Sequence, residues 1–289
     1  MSPTGVDHVL LTRFNLPTPG VEGLIRAREG WLTERADLFE RYCASSVARQ
    51  TTPFTWIVYV DPESPGWLFD RLRPYVDRGL LRAVLRTEVG PAELAEDLAA
   101  AVPRPGSHLL TTNLDNDDGL ATDFLARLRT VAPLPAARAV YLTRGLVLGP
   151  GGLYLRTDPD NAFCSVLEPW SGARTSWSER HNEFAQVMPV VRLHGSPAWL
   201  QVVHGSNVSN RVRGRLVAPD AYRAQFGSLL DEAPVPSTGL RVTDAVLRQP
   251  WRLLRDGART ALRETGLRVL GREGYESMKH RLRVIRTGA

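Results

Sequence analysis

The chain has 289 residues, 43% hydrophobic and 23% charged, with a formal net charge of +5. That is enough chain to bury a substantial core in one large or two small domains. No run of about 18 apolar residues exists to span a bilayer, and "MSPTGVDHVLLTRFN" lacks the basic-then-apolar order of a signal peptide.

Residues 8–14, "HVLLTRF", are β-branched and aliphatic and meet the turn-like "NLPTPG", which predicts a strand. A helix is expected over 33–49, with Thr33 as its cap and Leu38, Tyr42 and Val47 near helical spacing. "FTWIVYVD" (54–61) is an apolar run closed by an aspartate, the pattern of a buried parallel strand at its C-terminal end. A helix over 67–78, a short strand over 80–86 and an Ala/Leu helix over 91–101 follow. "SHLLTTNLD" predicts another strand, and 119–131 a helix with Leu120, Phe124, Leu128 and Val131 on one face. "RAVYLTRGLVLG" and "GGLYLRT" suggest a hairpin around "GPGG". "AFCSVLEP" reads as a strand, "SWSERHNEFAQV" as a helix capped by Ser176 or Ser178, and "AWLQVVHGSN" as a final strand entering a turn. From about 219 onward the pattern is helical with breaks. Alternating strands and helices in the first half argue for an α/β fold with a mostly parallel central sheet, whose ligands gather at the C-terminal strand ends.

Two acidic sites fall at such ends: Asp61, and the run Asp115, Asn116, Asp117 and Asp118. Like charges so close repel, and solvent, an arginine or a metal ion must offset them. Carboxylates one residue apart suit Mg²⁺ or Mn²⁺, which fill their remaining positions with water and phosphate oxygens. The plainer reading is an acidic turn with Asp118 capping the next helix. Cys43 and Cys164 lie in apolar surroundings and are expected as buried reduced thiols, which fits the cytoplasm.

The segment "SVARQTTPFTWIVYVDPESP" (46–65), with "TTNLDNDD" about fifty residues later, resembles the nucleotide-sugar domain of GT-A glycosyltransferases and its Asp-x-Asp motif. More narrowly, "TRFNL", "LDNDDGL" and "WLQVVHGSNVSNRVRG" are similar to a bacterial family of rhamnosyltransferases, over roughly residues 7 to 215. The resemblance implies a GT-A (Rossmann-like) domain over 1–215 with a C-terminal helical extension over 216–289. It implies an enzyme that moves a sugar, rhamnose by the family's name, from a nucleotide diphosphate sugar to a glycan, lipid-linked or small-molecule acceptor. Asp61 would face the base or ribose. Asp115 and Asp117 would hold a Mn²⁺ or Mg²⁺ and the diphosphate, and His204 of "VVHGSN" would complete the metal site; a structural turn histidine is the alternative. "DPES" after the second strand departs from the commonest pattern.

Arg13, directly after the first strand, can reach a donor phosphate or stand as a surface charge. Asn207, Asn210, Arg211 and Arg213 follow His204 on a loop suited to closing over the donor, and equally to being a solvated basic loop. Inversion requires a base for the acceptor hydroxyl. Among Asp158, Asp160, Glu168, Glu179 and Glu183, the resemblance to inverting GT-A enzymes, which present a catalytic acid at a helix start in this place, favours Glu179, with His181 its rival; a helix-capping or surface role is the alternative for either. Trp170 and Trp177 can stack on an acceptor sugar or pack in the core.

Lys279 is the only lysine beside 35 arginines, a bias expected of a GC-rich bacterial genome. Ten of those arginines lie from Arg248 to the end, against Asp256, Glu264, Glu273 and Glu276. Those basic C-terminal helices can lie on an anionic membrane or pack with their arginines solvated. A metal-dependent nucleotidyltransferase or phosphohydrolase is the other enzyme class for clustered aspartates, but "RFNLPTPGVEG" is no Gly-rich basic loop. A non-catalytic nucleic-acid binder is the third class, prompted by the basic balance; nucleic acid is not the expected partner, because the basic residues are not interleaved with aromatics and the tetrad repels a phosphate backbone unless metal-loaded.

Overall fold

The structure is a computed structural model and describes residues 5–17, 30–172, 174–204, 212–252 and 254. Contacts divide the chain into Met1–Val235 and Pro236–Ala289.

The first unit carries the mixed α/β architecture. Strands β1 (Val6–Arg13), β2 (Thr55–Val60), β3 (Arg82–Leu85) and β4 (His108–Asn113) are parallel neighbours in the order β3-β2-β1-β4. Beyond β4 lies β9 (Ser165–Pro169), antiparallel to it, then β6 (Arg138–Leu142) and β10 (Val190–Leu193), which pair in parallel with each other. Six of the seven strands therefore share one direction, as the alternating pattern predicts. β1 and β4 are buried along most of their length, His8, Thr12, Thr111 and Thr112 included, because both strands lie inside the sheet with neighbours on each side.

Helix α1 (Trp31–Leu38) continues through a π-helical segment (Phe39–Ala44) into Ser45–Val47. It starts two residues before the expected Thr33 cap, behind Gly30 in the left-handed region at φ 76°. α2 (Gly66–Asp77) and α3 (Pro91–Ala101) stand where expected. On one face of the sheet Leu94 and Leu98 of α3 pack against Val9, Leu11, Ile57, Tyr59 and Leu109, with Trp170 and Trp177 alongside.

The second half differs from the sequence reading in four places. "RAVYLTRGLVLG" is two strands in two sheets: β6 ends at Leu142, and β7 (Arg144–Gly149) joins a five-stranded sheet. That sheet runs β12 (Arg215–Val217), β8 (Gly152–Thr157), β7, β11 (Trp199–Val202) and β5 (Gly119–Leu120). The expected helix over 119–131 therefore begins as a strand, with Leu120 opposite Trp199, and only Phe124–Leu128 (α4) is helical.

The expected helix over "SWSERHNEFAQV" does not form beyond one 3₁₀ turn, Phe184–Gln186. Its Ser and Thr side chains capture backbone groups instead: Thr175 N–H bonds Ser178 Oγ, Trp177 N–H bonds Thr175 Oγ1, and Ser176 N–H bonds Thr111 Oγ1. Residues 216–235, expected in the C-terminal extension, belong to the first unit. Leu216 leads into this stretch, and Val217, Phe226, Leu229 and Leu230 pack with Leu146, Leu153 and Leu200.

In the second unit a helical turn (Thr238–Thr243), capped by Ser237, runs on into Asp244–Arg248. Among the described residues no helix is long and apolar enough to cross a membrane.

Candidate functional site

The acidic run starts where β4 ends, and its neighbours fix it there. Leu114 N–H bonds Leu11 O, and Leu114 O accepts from Thr12 Oγ1 at 2.8 Å. Trp56 Nε1 donates in turn to that hydroxyl at 3.0 Å. Gln50 of the "RQTT" turn bonds both Ala121 O and Leu125 N–H, tying the end of the α1 segment to the chain just beyond the run.

The four residues then take different partners. Asn116 donates to Phe14 O and accepts from Arg35 at 3.1 Å. Asp117 Oδ2 accepts from Arg35 Nη1 at 2.6 Å and lies 2.9 Å from His204 Nε2. Burial pushes the Asp117 carboxyl up, but the His204 hydrogen bond and the Arg35 charge outweigh it and hold the pKa below the ordinary value. Asp118 does not cap a helix. Its Oδ1 accepts Val202 N–H at 2.8 Å, and its Oδ2 has no hydrogen-bond partner among the described residues. Burial, then the charges of Asp117 and Asp115, raise its pKa well above the carboxylate range. Asp115 stands exposed at the rim and accepts from Asn113 Nδ2 at 3.3 Å. The crowded surroundings of its carboxyl, then Asp117, shift it upward, against Asn113, His181 and Arg13.

The second sheet delivers His204. β11 runs parallel to β7, and the Val202–Asp118 bond clamps its end to the acidic loop, so His204 two residues on meets Asp117. Its other ring nitrogen lies 3.6 Å from Glu34 Oε1. Helix α1 thus presents two consecutive residues, Glu34 and Arg35, that sequence reading did not assign to the site. Arg35 lies 81 and 82 positions from its partners, so no local pattern signals it.

Asp61 ends β2 half-buried and caps its own turn: its N–H donates to Asn15 Oδ1, and its Oδ1 accepts Glu63 N–H. Arg13 extends over Trp177, its guanidinium carbon 3.8 Å from the ring centroid. Trp177 Nε1 donates to Asn113 Oδ1 at 2.7 Å, which places the indole beside the base of the acidic run. Trp170 donates to Asp7. Glu179 and His181 are both exposed. His181 Nδ1 bonds Asp160 O, and its ring lies within electrostatic reach of Asp115. Asp158 and Asp160 are taken by Arg156 and Arg192. Asn207, Asn210 and Arg211 lie outside the described residues.

Arg13 and Trp177 also border a cavity of about 260 Å³ that runs under α3 past Leu94, Leu98 and Trp170 to Glu168. Burial pushes the Glu168 carboxyl up to about 7, opposed by the Arg174 N–H and charge. Glu168 pairs with Leu109, six residues before Asp115, so along the strand the two are about 20 Å apart. It does not serve chemistry at the acidic run. Cys43 and Cys164 are free and buried, as expected, and burial raises both thiols, Cys164 to about 12.

For a divalent ion, Asp117 and His204 are a carboxylate and an imidazole already in contact. No group of three or more His, Cys, Asp or Glu side chains is assembled to hold a metal among the described residues. Two touching protein ligands still fit an ion that keeps water and substrate phosphate in its other positions.

A sequence profile of the family described as "Putative rhamnosyl transferase" matches residues 7–216, well over half of the chain. No functionally curated protein matches. Among solved structures, S. aureus TarS (fragment 1–349) aligns with TM-score 0.41 and 10% identity, over 68% of this chain and 60% of that one. GalNAc-T7 with UDP, GalNAc and Mn²⁺ aligns with TM-score 0.41 and 13% identity, over 68% and 44%. The 4-diphosphocytidyl-2C-methyl-D-erythritol synthase from Anaerococcus prevotii aligns with TM-score 0.37 and 14% identity, over 66% and 88%. The chain thus spans less than two thirds of the first two of these structures.

Proposed function

The chain belongs to the family described as "Putative rhamnosyl transferase", and from that premise we propose that it moves a sugar, rhamnose by that description, from a nucleotide diphosphate sugar to a hydroxyl acceptor on a glycan, lipid or small molecule. The observation that carries this reading is the meeting of Asp117, His204 and Arg35 from three distant segments at the C-terminal strand ends. It is a largely buried meeting of one carboxylate with two basic groups, suited to a diphosphate and its counter-ion. Asp117 and His204, with Asp115 at the rim, would hold Mn²⁺ or Mg²⁺. Such an ion neutralises the diphosphate and stabilises it as a leaving group. Asp61 and Arg13 flank the donor, on the nucleoside and phosphate sides.

Transfer proceeds with inversion in this proposal. The acceptor hydroxyl loses its proton to a base as its oxygen bonds the anomeric carbon, whose bond to the diphosphate oxygen breaks. His181 is better prepared for this than Glu179. A backbone carbonyl only accepts, so His181 Nδ1 carries the hydrogen in its bond to Asp160 O and Nε2 keeps its lone pair for the acceptor.

In the second unit Val242, Val246, Leu247, Trp251 and Leu254 are all exposed. At helical spacing they oppose Arg241, Arg248 and Arg252, the last paired with Asp244. That pattern suits the surface of an anionic membrane, on the cytoplasmic side, where lipid-linked acceptors lie.

A melting panel of UDP, GDP, dTDP and CDP, each with and without Mn²⁺, tests the reading. A nucleotide at 100 times its Kd adds about 2.7 kcal/mol of stability. One nucleotide stabilising the protein only with metal is expected; none doing so removes the acidic run from the site.

A further inference from the structure

Arg35 contacts two residues of the acidic run. Its guanidinium reaches Asp117 Oδ2 at 2.6 Å and Asn116 Oδ1 at 3.1 Å, and its side chain is only 11% exposed. His204 Nε2 addresses the same oxygen from 2.9 Å. One carboxylate oxygen therefore serves both basic groups, and Asp117 is neutralised with no metal involved.

This arrangement and a cation-bound one exclude each other locally. Nε2 cannot both carry the hydrogen it shares with Asp117 and offer a lone pair to an ion. For His204 to become a ligand, its hydrogen must sit on Nδ1, the nitrogen that faces Glu34. A carboxylate behind the far nitrogen of a ligating histidine is how such tautomers are held. An ion on Asp117 Oδ2 likewise competes with the Arg35 N–H.

The displaced guanidinium would not go far. Its carbon sits 5.3 Å from the Trp31 ring centroid, and α1 anchors its stem. The anionic group that arrives with the ion is the donor's diphosphate, and a guanidinium fork fits two phosphate oxygens.

We propose that Arg35 is a resident counter-cation of the donor site, holding Asp117 in the free protein and passing to a diphosphate oxygen when the donor and its divalent ion bind. The idea rests on the donor reading above. It makes Arg35 a ligand of the nucleoside diphosphate as well as a competitor of the bare metal, two effects of opposite sign on one side chain.

The test separates them. Mn²⁺ alone is titrated against the full chain by the loss of its free electron-spin signal. The nucleoside diphosphate found in the melting panel is then titrated calorimetrically at saturating Mn²⁺. In Arg35→Gln, Mn²⁺ alone should bind about tenfold tighter than in the parent, and the nucleotide about tenfold weaker, each near the worth of one charge-assisted hydrogen bond. Arg35→Lys keeps the charge, so its Mn²⁺ binding should stay near the parent's, while the lost fork still weakens the nucleotide.

Unchanged or weaker Mn²⁺ binding in Arg35→Gln overturns the competition, and parent-like nucleotide binding in both variants overturns the transfer. If the glutamine variant does not fold, the lysine variant alone decides, and parent-like nucleotide affinity there rejects the proposal. A parent that binds Mn²⁺ but no nucleoside diphosphate sinks the donor reading and the transfer with it. Tighter Mn²⁺ binding in Arg35→Gln is read independently of that failure.

Discussion

Replacing Glu168 with glutamine should flatten the pH dependence of stability between about pH 4.5 and 7. Only 3% of Glu168 is exposed, and the residue lines the cavity under α3. One oxygen accepts the Arg174 N–H at 3.3 Å, and a Cβ at Gly172 would stand 2.2 Å from it, so the loop closes on the carboxyl only because that residue is glycine. Burial raises the pKa from 4.5 to about 7. The sign follows from proton counts: between those values the unfolded carboxyl is ionised while the folded one still holds its proton. Stability from this group is therefore present below pH 4.5 and falls as pH rises to 7. The interval sets an upper limit of about 3 kcal/mol, and the open side of the cavity reduces it to roughly 1.5–3 kcal/mol. Glutamine keeps the shape and the acceptor without the titration. Urea unfolding of parent and variant at pH 4.5 and pH 8 measures the difference. Asp115 and Asp118 are shifted in the same direction, and His8, lowered to about 3 by burial and then Arg129, in the opposite sense. All three are common to both proteins and drop out of the comparison. Equal pH dependence in parent and variant would show that Glu168 titrates as an ordinary surface carboxylate and that the cavity is wet.

Asp117→Ala should abolish the metal-dependent melting shift with nucleotide while leaving a cooperative unfolding transition; a retained shift would remove Asp117 from donor binding. His181→Gln should lower turnover by about 10²–10⁴ with nucleotide affinity unchanged, as for a general base, whereas Glu179→Gln should stay near the parent; steady-state assays with the donor named by the panel reverse the assignment if the order is opposite. Gly145→Ala should destabilise by roughly 1–3 kcal/mol in urea titration, because a Cβ there would fall 2.0 Å from the Trp199 ring that stacks on Phe163. Trp251→Glu should reduce co-sedimentation with vesicles containing anionic lipid severalfold and leave the melting panel unchanged; parent-like sedimentation would refute a membrane role for that helix face.

The parts of the fold that could be read from sequence were those whose information is local. β2 is a continuous apolar run closed by Asp61, and α3 spans the expected 91–101, with its start fixed by Pro91 and by Glu93 bonding the Gly90 N–H. The acidic run was legible as carboxylates at a strand end, whereas His204 was singled out only by the resemblance to GT-A enzymes; the structure sets it against Asp117. What stayed hidden depends on distant partners. Leu120 has helical spacing with Phe124, but Gly119 and Leu120 are held as a strand by Trp199 and Leu200, about 80 positions away. Helix formation after Ser176 loses to side-chain bonds, one of them to Thr111, 65 positions away. At Thr143 the stretch "RAVYLTRGLVLG" passes from one sheet to the other, a division that its short Thr-Arg-Gly interruption does not distinguish from an ordinary polar position within a strand.

The charge problem posed by three aspartates in four positions resolves in the same terms. Sequence offered solvent, arginine or metal as remedies; the structure supplies the first to Asp115 and the second, with a histidine, to Asp117, while Asp118 takes a course not on that list. Asp115 faces solvent at the rim. Asp117 is held ionised by Arg35 and His204. Asp118 is driven toward its neutral form by burial, one oxygen clamping the end of β11 through the Val202 N–H. Asp117 is thus the carboxylate of the run that rests against two basic groups. A buried ion pair broken on one side costs about 3–5 kcal/mol, so Asp117 cannot be left bare while Arg35 moves. Any ligand that draws Arg35 away must bring its own cation to Asp117, which makes the order of events a property of the site: nucleotide without metal should bind poorly because it would strand the carboxylate, and metal without nucleotide should bind poorly because it would strand the arginine.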